Sequence, residues 1–200
     1  MSQDPCIGVL ALQGAFREHC HALNRLGVES REIRLPRDLL GIRGLIVPGG
    51  ESTAIGKLLV EWALLEPIRE MGLRGMPIWG TCAGAILLAK RIEERGATMD
   101  QPRFGLMSIL ALRNAFGRQR ESFEAELSIK GLDAPFRAVF IRAPVLVPDS
   151  PHVEVLSRID DQHVFLRENH YFASSFHPEL TEDSRIHRLF LDQVEKADFS

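Results

Sequence analysis

The sequence contains no apolar run near the roughly 20 residues that a membrane-spanning helix needs. It also contains no internal repeat and no low-complexity tract. These absences exclude a helical membrane span and a repeat architecture. Charge of one sign is missing as well: 24 Lys and Arg stand against 27 Asp and Glu, a net of −3. Such a balance gives no electrostatic footprint for nucleic acid or for an anionic membrane, so neither is expected as a partner. Histidine is scattered, with no tract. Cysteine is scarce and odd in number, with only Cys6, Cys20 and Cys82. The start, Met1-Ser-Gln-Asp-Pro5, has no basic residue, and the apolar run from Cys6 to Leu12 is too short for a secretory signal. The expectation is a cytoplasmic protein with free thiols.

What is present is ordinary for a globular chain: 45% apolar and 26% charged residues over 200 positions. That length fits one domain over residues 1–200. It can bury about 70% of the surface its unfolded form exposes, so no disulfide or metal staple is required.

The first half alternates continuous apolar runs with amphipathic stretches. Cys6 to Leu12, Gly44 to Val47 and Pro77 to Gly80 read as strands buried on both faces, and Val28 to Leu35 as a weaker one. Between them, Phe16, Cys20, Leu23 and Leu26 recur at helical spacing before Gly27. A helix is expected over Thr53 to Met71 with a break near Pro67, and another over Ala83 to Ile92. Strand and helix in alternation predict βαβ units: an α/β fold with an open, mostly parallel central sheet flanked by helices. The second half changes texture. Leu106–Leu112, Glu121–Lys130, Arg137–Ile141, His152–Ile159, His163–Arg167 and Tyr171–Phe176 read as strands with short turns. They suggest antiparallel additions to the central sheet, followed by a last helix over Glu182 to Glu195.

Gly80-Thr-Cys-Ala-Gly84 lies where a buried strand gives way to a helix. This is the G-x-nucleophile-x-G pattern of a nucleophile elbow, with Cys82 in the nucleophile position. The sharp turn demands small neighbours, which Gly80, Ala83 and Gly84 supply. A helix starting there aims free N–H groups and its positive end at the sulfur, which favours the thiolate. The Ala83 N–H also falls where an oxyanion would form. A buried structural cysteine between two glycines is the plain alternative. A thiolate wants a base and a group to orient it. Ser174-Ser-Phe-His-Pro-Glu179 follows a strand and places His177 and Glu179 two residues apart, with Pro178 fixing the backbone between them. Alone, His-Pro-Glu suits a solvated turn. Together with Cys82 at the C-terminal ends of strands, where open α/β sheets bind ligands, it reads as a base and its orienting acid.

Pro48-Gly-Gly-Glu-Ser-Thr53 also follows a strand, and its paired glycines let backbone N–H groups face a negative centre. A phosphate loop fails here. The pattern G-x-x-x-x-G-K-[ST] sets its glycines five apart, whereas Gly50 and Gly56 are six apart and Lys57 is followed by Leu58.

Gly80-Thr-Cys-Ala-Gly84 with His177-Pro-Glu179 resembles the class I (triad) glutamine amidotransferases, whose sheet is flavodoxin-like. Further blocks narrow the resemblance: Val9-Leu-Ala-Leu-Gln-Gly14 with Arg17-Glu-His19, Pro48 to Thr53, Arg113-Asn-Ala-Phe-Gly-Arg-Gln119, Ser122-Phe-Glu124, Phe140-Ile-Arg-Ala-Pro144 and Ser175 to Thr181. Together these look like the glutaminase subunits of pyridoxal 5'-phosphate synthase. That resemblance implies hydrolysis of L-glutamine to L-glutamate and ammonia through a cysteine thioester. The ammonia would pass to a barrel-shaped synthase subunit, in a complex of twelve synthase and twelve glutaminase subunits, to make pyridoxal 5'-phosphate. It implies no cofactor and no metal. By the same resemblance Cys82 is the nucleophile, His177 the base and Glu179 its orienting acid. Backbone N–H groups at Gly49, Gly50 and Ala83 would hold the oxyanion. Gly50, Glu51, Ser52, Arg113, Ile141 and Arg142 would contact glutamine. An arginine fork suits the substrate's α-carboxylate, and either arginine could supply it.

Other readings stay on the table: a stand-alone cysteine hydrolase such as a peptidase, or a catalytically dead scaffolding subunit. His19-Cys20-His21 invites a metal reading, but adjacent helical residues diverge by about 100°. Cys20 is expected in the core, with His19 and His21 on the flanks and His19 meeting a partner. Cys6 is expected as buried filler. Gln13 reads as a turn residue or as a sensor of the docked synthase beside the oxyanion turn. Asp161-Gln-His163 reads as a hairpin tip.

Overall fold

The computed structural model describes residues 6–113 and 122–199. The block Asn114 to Gln119 therefore lies outside the described residues. In chain order the elements are β1 (Ile7–Leu10), α1 (Phe16–Arg25), β2 (Ser30–Ile33), β3 (Gly44–Val47), α2 (Ser52–Glu61), α3 (Leu65–Leu73), β4 (Ile78–Thr81), α4 (Ala83–Leu88), β5 (Ala89–Glu94) and β6 (Ala97–Thr98). Then come β7 (Met107–Arg113), β8 (Ser122–Leu127), β9 (Phe136–Ile141), β10 (Val145–Pro148), β11 (Glu154–Ile159), β12 (Gln162–Glu168), β13 (Tyr171–Ser174) and α5 (Arg185–Lys196).

The central sheet has seven strands in the order β11-β12-β13-β4-β3-β1-β2. The five strands from β13 to β2 run parallel, and β12 and β11 extend the sheet by antiparallel pairing. Period-two alternation along each parallel strand divides the core into two layers. Leu10, Leu45, Val47, Ile78 and Ala173 pack into one layer with α2, α3 and α4. Ile7, Val9, Ile46, Trp79 and Phe172 pack into the other with α1 and α5. Trp79 is wholly buried, and its indole N–H donates to Ser174 Oγ at 3.1 Å. Truncating it to alanine would cost about 3–5 kcal/mol.

Three features differ from the sequence reading. The helix expected over Ala83 to Ile92 stops at Leu88, and Ala89–Glu94 is a strand that pairs in parallel with β7. Non-local pairing overrides local helical propensity there. The long helix expected from Thr53 breaks at Ala63 (φ 54°), and Pro67 sits in the first turn of α3, where its missing N–H leaves no bond unmade. Finally, of the six strands read in the second half only β11, β12 and β13 join the central sheet, and β13 pairs with β4 in parallel, not as an antiparallel addition. β5, β6, β7 and the unexpected β10 form a separate four-stranded sheet, and β8 with β9 form an antiparallel pair. β11 and β12 form the expected hairpin, but its tip is Asp160-Asp161; of the expected Asp161-Gln-His163 only Asp161 lies in the turn, and Gln162 and His163 begin β12.

Because β1, β3, β4 and β13 are parallel, the segments leaving their C-terminal ends emerge at one edge. Gln13 follows β1, Gly49 follows β3, Cys82 follows β4 and His177 follows β13. Val47 is in register with Gly80, and Ser174 with Thr81.

Candidate active site

Cys82 sits between β4 and α4 with φ 49° and ψ −103°, a conformation that non-glycine residues rarely adopt. Its backbone N–H donates to Ser174 O at 2.7 Å, and its thiol lies 3.8 Å from Ile141 O. The turn is made by close approach of backbone to backbone. A Cβ on Gly84 would lie 1.9 Å from Val47 O, and one on Gly80 would lie 2.4 Å from the Gly84 carbonyl. Only glycine lets α4 rest directly on β3. Since α4 has six residues, its dipole is smaller than that of the ten-residue helix expected, but its first N–H groups still start beside the sulfur.

His177 arrives from the other side. Its backbone N–H donates to Val139 O at 2.8 Å, and its Nδ1 meets Glu179 Oε1 at 2.8 Å. The Cys82 thiol is its other side-chain partner. Burial disfavours a charged imidazole, yet hydrogen bonds and charge from Cys82 and Glu179 override it and push His177 up to about 10. The arrangement therefore favours an imidazolium beside Cys82, ready to give up a proton. The Glu179 side chain is fully buried.

Gly49 is wedged behind this pair: a Cβ there would lie 2.4 Å from His177 Cε1 and 3.3 Å from Cys82 Cβ. Its carbonyl accepts from Ala15 N–H at 3.3 Å. Gln13 Oε1 accepts the Glu51 N–H at 2.8 Å, which pins the Gly50-Glu51 peptide. The expected nearness of Gln13 to the glycine turn is thus found.

The three groups open into a cavity of about 310 Å³. Gly50, Glu51, Ser52, Arg113, Ile141 and Arg142 line it together with Cys82, Ala83 and His177. Of the expected site residues, Gly49 and the buried Glu179 are not in the lining. Glu51 caps α2 through Thr53 N–H (3.2 Å) and Ala54 N–H (2.7 Å), and it pairs with Arg113 at 3.2 Å. Burial opposes ionisation of Glu51, but these N–H groups and Arg113 hold its carboxyl below the usual range. Arg113 is braced further by Thr53 Oγ1 at 3.2 Å and Gln101 Oε1 at 3.4 Å. Among the described residues no ion pair engages Arg142, which sits at φ 43° on the cavity wall. The Ser52 hydroxyl is buried and has no hydrogen-bond partner among the described residues.

Sequence reasoning missed two groups. Gln101, which holds Arg113, carries no motif, and Thr53, its other brace, closes the Pro48–Thr53 block but was given no role. His19 is completely buried and is not a flank residue open to a partner. It meets His187 at 3.0 Å and Thr81 at 3.3 Å, while Cys20 is half-buried and His21 exposed. The helical period did hold a signal: His19 lies three residues after Phe16 and four before Leu23, on the same stripe. Cys6 is buried, as expected.

A strained cysteine at a strand–helix elbow, a histidine–glutamate pair against it and a polar cavity at the carboxyl edge of a parallel sheet define a class: cysteine-dependent enzymes of the triad amidotransferase type. The comparisons agree. The model of the SNO glutamine amidotransferase family matches residues 9–196. The Pyridoxal 5'-phosphate synthase subunit PdxT of Carboxydothermus hydrogenoformans is 55% identical over 192 residues, 96% of this chain and 98% of that protein. The protein of the same name from Herpetosiphon aurantiacus is 56% identical over 187 residues, 92% of this chain and 98% of its own. A crystal structure of a glutamine amidotransferase superposes with a TM-score of 0.89 at 52% identity, covering 94% of this chain and 98% of that one. PurLQS from Thermotoga maritima, at 19% identity, shares the fold with a TM-score of 0.69 over 97% of each chain. The chain belongs to the SNO glutamine amidotransferase family.

Proposed function

We propose that this chain hydrolyses L-glutamine to L-glutamate and ammonia for pyridoxal 5'-phosphate synthesis, with Cys82, His177 and Glu179 as its catalytic residues. The observation that carries the reading is Cys82 held at the elbow against a His177 whose imidazolium is favoured by Glu179. The thiolate adds to the carboxamide carbon, and the resulting oxyanion takes hydrogen bonds from the backbone N–H groups of Ala83 and the Gly49-Gly50 turn. The C–N bond breaks as His177 gives its proton to the leaving nitrogen, which departs as ammonia. His177, now neutral, takes a proton from water as the water attacks the γ-glutamyl thioester. Collapse releases glutamate and restores Cys82.

Glutamine is a zwitterion, and the cavity offers both signs: Glu51 for the α-ammonium, Arg113 and Arg142 for the α-carboxylate. A cavity of this size and polarity suits an amino acid better than a peptide strand, which weighs against a peptidase. The ammonia goes to a synthase subunit, as the names of the relatives suggest. We extend the reading to a single domain over residues 1–200, a cytoplasmic site of action and a barrel-shaped partner in a twelve-plus-twelve complex. No helix among the described residues is long and apolar enough to cross a membrane.

The test is glutamate release from glutamine by the chain with its synthase subunit, for wild type and for Cys82→Ala. Release lost in Cys82→Ala, with partner binding kept, supports the reading. Wild-type release by Cys82→Ala refutes the catalytic assignment.

A further inference from the structure

A row of buried polar side chains continues behind Glu179, and the reaction above leaves it unused. Glu179 Oε1 is taken by His177, while Oε2 makes no hydrogen bond of ordinary geometry. His19 Nε2, from α1, stands 3.4 Å from that oxygen and 3.3 Å from Thr81 Oγ1. His19 Nδ1 meets His187 Nε2, from α5, at 3.0 Å. His187 Nδ1 is buried with no partner among the described residues. Both imidazoles are fully buried, and Trp79 lies edge-on to each, at 5.6 and 5.0 Å between ring centres.

Hydrogen-bond logic assigns the tautomers. If His19 Nδ1–H donated to His187, then His187 Nδ1 would carry an unpartnered buried N–H, and the His19 Nε2 lone pair would face a carboxylate oxygen. Both are unfavourable. In the opposite arrangement His187 Nε2–H donates to His19 Nδ1, and His19 Nε2–H is shared between Glu179 Oε2 and Thr81 Oγ1. The orphan is then only an unprotonated ring nitrogen. Burial holds both rings neutral, His19 well below its ordinary value and His187 at about 3. They can therefore donate hydrogen bonds without adding charge.

We propose that His19 is a positioning residue for the glutaminase: its Nε2–H, fixed in that tautomer by His187, holds the second oxygen of Glu179 and so sets the carboxylate that orients His177. This inference rests on the function proposed above. The row runs His187, His19, Glu179, His177, Cys82, and it joins α5 and α1 to the elbow. The titratable and charged groups that face it are His177 and Glu179 from the segment after β13, Cys82 from the elbow and Arg25 of α1, whose charge acts on His187.

The experiment measures glutamine hydrolysis by the chain with its synthase subunit, over a range of pH, for wild type, His19→Leu and His19→Gln. Thermal melts report the folded fraction of each. Activity in wild type that is absent in Cys82→Ala must be seen first; if wild type is inactive, the glutaminase reading itself fails. In His19→Leu, kcat is expected to fall about 10- to 100-fold, the usual cost of losing a partner that orients a reacting group. KM for glutamine should stay unchanged. The alkaline limb of kcat/KM should move to lower pH, because a less well held Glu179 supports the His177 imidazolium less. His19→Gln, whose amide N–H can reach the same oxygen, should recover most of the loss. If His19→Leu does not fold, His187→Phe carries the test, since it removes the donor that fixes the His19 tautomer; a smaller loss in kcat with the limb moved the same way is expected. Wild-type kcat and pH profile in the leucine variant, or in His187→Phe where that variant carries the test, would overturn the proposal. So would equal losses in the leucine and glutamine variants with the pH profile unmoved, which would mark His19 as packing alone.

Discussion

Replacing Gly84 with alanine places a methyl carbon 1.9 Å from Val47 O, where ordinary contact begins at 3.4 Å. About 1.5 Å must be found. Neither neighbour yields readily: Val47 is a central-strand residue paired with Gly80, and Gly84 lies in the first turn of α4. The relief available is a shift of α4 away from β3, which carries Cys82 and the Ala83 N–H out of line with His177. Two effects follow. Overpacking of this kind costs about 1–3 kcal/mol in stability, or several degrees in Tm. A misplacement near 1 Å in a catalytic constellation can cost about 100-fold in rate. The assay is glutamate release with the synthase subunit present, alongside a thermal melt. The account expects kcat down by about 100-fold with the protein still folded at 25 °C. Wild-type kcat and Tm in Gly84→Ala would refute the claim that the elbow is set by contact between α4 and β3.

Gly49→Ala drives a carbon to within 2.4 Å of His177 Cε1, so kcat should fall more steeply than Tm, a split that activity and melting measured on one preparation would reveal. Glu179→Gln keeps the shape but removes the anion, and should lower kcat by about 10³- to 10⁴-fold, as loss of the orienting acid does in other triads. His177 is raised to about 10, so its contribution to stability is full below about pH 6.5 and is lost as pH rises through 10. Melts across that window should fall in wild type and flatten in Glu179→Gln. His187 is lowered to about 3 by burial first and by Arg25 second, so the unfolded chain binds its proton before the folded one does. Stability should drop by a few kcal/mol as pH falls from about 6.5 towards 3, and urea titrations should find less of that drop in His187→Phe.

The parallel core was legible because β1, β3 and β4 are buried on both faces and so appear as unbroken apolar runs. The elbow was legible because its small residues are forced by backbone contact, and His177-Pro-Glu179 because proline fixes the spacing. What escaped was decided at long range. Ala89 to Glu94 is a strand only because β7 offers a parallel partner, and β10 exists only as the other neighbour of β7. The bracing of Arg113 by Gln101 spans a chain separation that no local pattern encodes. His19 was misjudged for a subtler reason. It and Cys20 flank the Phe16–Leu23 line on opposite sides, and the tertiary packing of α1 against α5 and β4 selects the His19 side.

The most direct test of the central claim is to trap the acyl-enzyme. The chain with its synthase subunit is mixed with glutamine, quenched in acid within a turnover, digested and read by mass spectrometry. The account predicts a γ-glutamyl thioester on Cys82, none on Cys6 or Cys20, and none anywhere in Cys82→Ala. Glutamine turnover without an adduct on Cys82, persisting when Cys82 is replaced by alanine, would contradict it.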